Sequence, residues 1–300
     1  MLKTKMKGRK SVKTSTGNFS LLLIFFFMLS SSEPAKGQNS DLEYGLYNIT
    51  SGAIIGGIGA VINKKPNQKF HKVFLKGFSQ GALGGYMIFE SKRLIRQFGI
   101  TNNYAYVWPS HLLNATGASM IENGAANRSF GEEWHLNIGF NRIEFNTKEN
   151  FKVRYRIMPF ALIGTIENAF YGEFNLQRTL KTGFPVFTTD HIDVRDSGYA
   201  VIYGQTTWSN SILILANEFG ENSLAHEIIH VYQYGQFSGF NSYLDKPVKA
   251  LSKESRFWKH YNRIFYTDFN YLIASGSYYF LDPDRNWDNP YEKEARFYSK

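Results

Sequence analysis

Small residues recur at every fourth position in two neighbouring stretches, Gly52, Gly56 and Ala60, then Gly77, Gly81 and Gly85. Positions four apart share one face of a helix, so each stretch presents a smooth stripe along which a second backbone can approach closely. The polar turn Asn63-Lys64-Lys65-Pro66-Asn67 separates the two, and Thr50 to Arg96 therefore predicts a helical hairpin with its glycine faces inward. Glycine costs helix stability, so tight packing has to compensate. The apolar stretch of each arm reads as shorter than a bilayer, which leaves a re-entrant, an interfacial or a buried pair open, with peripheral membrane contact as one outcome. Lys72, Lys76, Glu90, Lys92 and Arg93 punctuate the second arm and favour the buried pair.

The chemistry is concentrated in Leu224 to Tyr234, LAHEIIHVYQY, which contains His226-Glu227-Ile228-Ile229-His230. Imidazoles at i and i+4 can converge on one metal ion, and Glu227 at the edge of that face can reach a water without being a ligand. This is the H-E-x-x-H arrangement of zinc hydrolases, two His ligands with the Glu as general base. Leu224, Ala225, Ile228, Ile229 and Val231 are uncharged, as a helix packed beside a metal needs. Asn222 or Ser223 is expected to cap its start and Gly235 to end it. A catalytic zinc takes three protein ligands and keeps one position open. Glu254, His260, Glu292 and Glu294 all lie downstream as possible third ligands.

With these residues the chain resembles the zincin metallopeptidases, and Gln233 makes it similar to small bacterial gluzincin-like families with HExxHxxQ. Those families carry a later E-x-E-A segment whose first Glu is the third zinc ligand, and Asn289-Pro290-Tyr291-Glu292-Lys293-Glu294-Ala295 matches it. The resemblance implies Zn2+ held by His226, His230 and Glu292, Glu227 as base, and a peptide or protein substrate. Glu294 is the alternative if the helix phase differs. Arg296 departs from the pattern, standing where many relatives place an Asp that orients a His. The resemblance spans 222–234 and 289–296, and nothing before about Ser211. The competing reading is a non-catalytic envelope protein whose metal is structural or absent.

Around these features the expected fold is α+β: a Gly-rich helical region over 38–130, then an α+β, zincin-like metal-binding region over 131–300. Pro109 to Ala126 predicts a further helix. Trp134, Leu136, Ile138 and Phe140 alternate with polar residues, as do Phe151, Val153, Tyr155 and Ile157, predicting two half-buried strands joined through Arg142–Phe145. Further strands are expected at Phe184–Phe187, Tyr199–Tyr203 and Ser211–Ala216, and helices at Lys253–Tyr261, Asp268–Ala274 and Tyr291–Tyr298. His71, His111, His135 and His191 share no ligand spacing and are expected to be structural.

The formal charge of +9 is misleading. Residues 1–37 hold seven of the 34 basic residues and one of the 25 acidic ones, leaving 27 against 24, or +3, for the rest. That balance does not indicate a nucleic-acid partner. The same 37 residues read as an export signal: a basic start, the apolar run Leu21 to Leu29, and Ala35-Lys36-Gly37 before a mature start at Gln38. With no cysteine, an exported chain must hold together without disulfides, which fits the periplasm or outer-membrane periphery of a bacterium, or its medium.

Overall fold

The computed structural model describes residues 40–300, apart from 149, 191–194, 197–199, 202–205 and 283–288. The export signal and His191 lie outside the described residues, as does most of the Tyr199–Tyr203 run. The chain is α+β. The hairpin is formed by α1 (Asp41–Ile62) and α2 (Phe70–Thr101). Its glycine stripes face each other: a Cβ on Gly56 would fall under 3.0 Å from the carbonyl oxygen of Gly77, and one on Gly81 likewise from Gly52. A second crossing of this kind joins α2 to α3 (Val107–Ala125), where a Cβ on Gly84 or Gly117 would lie 2.5 Å from the other's carbonyl oxygen. Contrary to the expectation of two short apolar arms, α1 is long and apolar enough to cross a membrane, with 56% of its most apolar window buried inside the protein.

A three-stranded antiparallel sheet follows: β1 (Glu133–Ile138), β2 (Asn141–Asn146) and β3 (Lys152–Ile157). The stretch expected to be a connection, Arg142–Phe145, is its central strand, because Gly139 at φ +58° lets the chain reverse just before it. The burial is also the reverse of the expectation. Arg142, Glu144 and His135 face inward, while Val153 and Tyr155 on the opposite face are more than half exposed. Glu122 of α3 inverts the preference by meeting Arg142 at 2.6 Å, Arg142 meets Glu144 at 2.8 Å, and Arg156 Nε donates to Glu144 at 2.9 Å. Two guanidinium groups thus compensate two carboxylates, the condition under which buried charges are tolerated.

Next come α4 (Pro159–Tyr171), which the sequence pattern did not reveal, β4 (Glu173–Phe174), α5 (Leu176–Thr182) and β5 (Val186–Thr189). The short ladder of β6 (Arg195–Asp196) with β7 (Ala200–Val201) precedes β8 (Thr206–Trp208) and β9 (Ser211–Leu215). The second sheet has the order β4-β5-β9-β8, with β5 parallel to β9 and β8 antiparallel to it at one edge of the described strands. Then α6 (Glu218–Gln236) packs between this sheet and the hairpin. Leu224, Ile228 and Ile229 join Val186, Ile212 and Ile214 on one side, and Ile95 and Phe98 of α2 on the other. It starts a turn earlier than the expected cap at Asn222 or Ser223, so Gly220 lies inside it. A 3-10 segment leads to α7 (Asp245–Glu254) and α8 (Arg256–Ile264), with the break at Ser255, whose side chain caps α8. The chain ends in α9 (Asn270–Leu281) and α10 (Pro290–Tyr298).

Candidate metal centre

The centre is built from α6 and α10. Asn289 caps α10 by accepting from the backbone N–H groups of Tyr291 and Glu292, both at 3.0 Å, and Pro290 occupies the first helical position. This fixes Glu292 in the first turn, aimed at the His pair of α6. Nε2 of His226 and Nε2 of His230 are 3.0 Å apart, and each lies 3.3 Å from an oxygen of Glu292. Two ligands at 2.0–2.1 Å from one tetrahedral ion are about 3.3 Å apart, so these separations suit one zinc-sized ion. Among the described residues, this is the one group of three or more His, Cys, Asp or Glu whose ligand atoms lie within 4.8 Å of one another.

The surroundings select the chemical form of each donor. Gln233, one turn beyond His230, gives its Nε2 hydrogens to the carbonyl of Tyr291 and to Oε2 of Glu294, both at 2.9 Å. Both partners are pure acceptors, so the amide oxygen must face His230 Nδ1, 2.8 Å away. That nitrogen therefore carries a hydrogen, which leaves Nε2, facing His226 and Glu292, as the atom that would bind a metal once its own proton is displaced. Tyr278 donates to Oε1 of Glu292 at 2.8 Å, and burial beside that carboxylate keeps its hydroxyl protonated. Burial opposes charge on His230, but the hydrogen bond and charge of Glu292 outweigh it and lift the pKa to about 9. Burial likewise opposes ionisation of Glu292, and the two imidazoles override it and hold the group well below the usual carboxylate range. The cluster favours positive charge at its centre.

Glu294 is turned away from this point. It forms a dry ion pair with Lys92 of α2 at 2.9 Å and accepts from Asn48 of α1 at 2.8 Å. Burial depresses the Lys92 pKa, and Glu294 opposes that shift. Glu254 and His260 are exposed on α7 and α8 and belong to no such cluster. Gln233 is held in turn by Glu294, which Lys92 pairs with, and by the Tyr291 carbonyl. No spacing rule points to Lys92 or Asn48, which come from the hairpin. Glu227 sits beside the middle of β8: Thr207 Oγ1 donates to its carboxylate at 2.8 Å and lies 2.9 Å from its backbone carbonyl. His111 and His135 are buried away from the centre, where burial lowers the His111 pKa to about 4 against a hydrogen bond to the Asn137 carbonyl. No family model matches this chain, and neither a curated protein nor a solved structure does.

Proposed function

We propose that the protein is a zinc-dependent hydrolase of the zincin type, acting on peptides. The observation that carries the reading is the convergence of His226 Nε2, His230 Nε2 and Glu292 at 3.0–3.3 Å, with Gln233 keeping His230 in the tautomer that binds metal. His226, His230 and Glu292 would hold the ion. Zinc held there supplies Lewis acidity toward a carbonyl and a water of lowered pKa. Glu227 would serve as the general base toward water and the general acid toward the leaving amine, its carboxylate directed by the hydrogen bond from Thr207. An extended peptide can pair its backbone with β8, one of the two edges of the second sheet as described, and so pass beside Glu227. Three clustered donors among the described residues suit a site that keeps one position open for chemistry. The basic start and the Leu21–Leu29 run support export.

The test compares wild type, Glu227→Gln and His226→Ala for bound zinc and for cleavage of a broad peptide library. Loss of a general base costs about 10²–10⁴ in rate. Glu227→Gln should keep its zinc and lose activity to that extent, while His226→Ala should lose both. Equal activity in wild type and Glu227→Gln would sink the proposed mechanism.

A further inference from the structure

The pair α7 and α8 is strongly basic and buries none of its residues. Over these two helices Lys246, Lys249, Lys253, Arg256, Lys259 and Arg263 stand against Asp245 and Glu254. Lys246 is taken up by the backbone oxygens of Ile62 and Lys64, and Lys249 lies 3.6 Å from Asp245. The other four cations are exposed, and among the described residues none has a carboxylate within ion-pair distance. Beside them runs an apolar line. Phe257, Tyr261 and Ile264 follow one another at i, i+4 and i+7 along α8, with Phe257 68% and Ile264 50% exposed. Arg256, Lys259 and Arg263 follow at i, i+3 and i+7 on the neighbouring strip. Trp258 meets Tyr261 edge-on at 5.3 Å and Phe265 stacks on it at 5.1 Å.

The edge strand β3 adjoins this helix. Arg154 of β3 donates to the carbonyl of Asn262, which ties the edge strand to α8. That strand and the residue before it expose Phe151, Val153 and Tyr155. This is the outward apolar face left by the inverted sheet.

We propose that α7, α8 and the adjoining β3 face dock the protein onto an anionic phospholipid surface. The cationic strip calls for negative charge, and the apolar line next to it calls for a medium that accepts Phe257, Ile264 and Val153. The boundary between acidic headgroups and acyl chains offers both at once, at a depth of about 5–10 Å. A nucleic acid meets the charge but offers nothing to the aliphatic side chains. The surface uses no residue of the metal centre and does not depend on the hydrolase reading.

Residues 39–300 form a unit by themselves, so binding is measured on that unit, without the basic start and the apolar run. Sedimentation with vesicles of phosphatidylcholine alone is compared with phosphatidylcholine mixed with phosphatidylglycerol. The unit should pellet with the mixed vesicles and not with the neutral ones, and added salt should release it. At about fivefold per neutralised cation, Lys253→Gln with Lys259→Gln should weaken partitioning about 25-fold. Phe257→Ser should weaken it about tenfold. These side chains are exposed, so each variant should melt as the wild type does. The proposal is overturned by absence of pelleting with either vesicle, by equal binding to both, or by variants that bind as well as wild type. Binding to a DNA duplex in place of vesicles would also overturn it and assign the surface to nucleic acid.

Discussion

Replacing Gly81 by Ala tests the packing of the hairpin against the pull of helix propensity. The new Cβ would fall under 3.0 Å from both O and C of Gly52 and 3.2 Å from Cα of Ala53. All three are backbone atoms, so no side chain can rotate aside. Ordinary contact begins near 3.4 Å. The two helices must therefore part by roughly an ångström, which also loosens the neighbouring Gly56–Gly77 contact. Forcing a methyl into a well-packed interface costs about 1–3 kcal/mol, and rigid partners place this case at the upper end. Alanine recovers about 1 kcal/mol over glycine inside a helix. The net expectation is a loss of about 2 kcal/mol, or roughly 4–8 °C in melting temperature for a chain of this size. Gly276 of α9 is the internal control, because a Cβ there meets nothing within 4 Å. Gly276→Ala should stabilise by about 1 kcal/mol. Urea denaturation followed by circular dichroism reads both. A Gly81→Ala protein as stable as wild type, or two variants shifting in the same direction, would refute the close-packed hairpin.

The remaining predictions concern the charges inside. Burial raises the Asp268 pKa from 3.8 to about 6, against the backbone N–H groups of Ala161 and Phe160 that it accepts from. Its contribution is therefore fully present below pH 3.8 and is lost as pH rises through about 6, so Asp268→Asn should gain stability relative to wild type between pH 4 and 7, by up to about 3 kcal/mol at 1.36 kcal/mol per pKa unit. A difference between the two proteins that does not change over that range would contradict the assignment. Lys92→Met leaves Glu294 buried and unpaired and should cost about 3–5 kcal/mol, part of which Glu294→Leu in the same chain restores. Additive losses in that double variant would show that the two groups do not act as a pair. Gln233→Leu removes the acceptor from His230 Nδ1 and should weaken zinc binding about 10–100-fold with the fold intact; unchanged affinity in a chelator competition would deny Gln233 that role.

What could be read from the sequence was what repeats locally. The four-residue spacing of Gly52, Gly56, Gly77 and Gly81 implied two facing stripes, because helix geometry alone converts spacing into a face. The same geometry put His226 and His230 together, and the E-x-E-A match singled out Glu292, which the structure brings beside them. Alternation in β1 and β3 revealed strands but not which face turns inward, since period two is the same read either way. That choice is made by Glu122, from a different element. The middle strand was hidden because Gly139 and Phe140 interrupt the pattern at the turn. Tyr278 meets Glu292, Thr207 meets Glu227, and Lys92 and Asn48 meet Glu294, each from a separate element, which no local rule encodes.

The central claim is that His226, His230 and Glu292 hold one zinc ion, and zinc titration against a chromophoric chelator tests it directly. Wild type should bind one zinc per chain. His226→Ala, His230→Ala and Glu292→Ala should each weaken binding by more than the about 10–100-fold expected for Gln233→Leu. Glu227→Gln should bind as wild type does. The account is contradicted if the wild-type chain binds no zinc, or if its zinc is held equally well after any one of those three residues is removed.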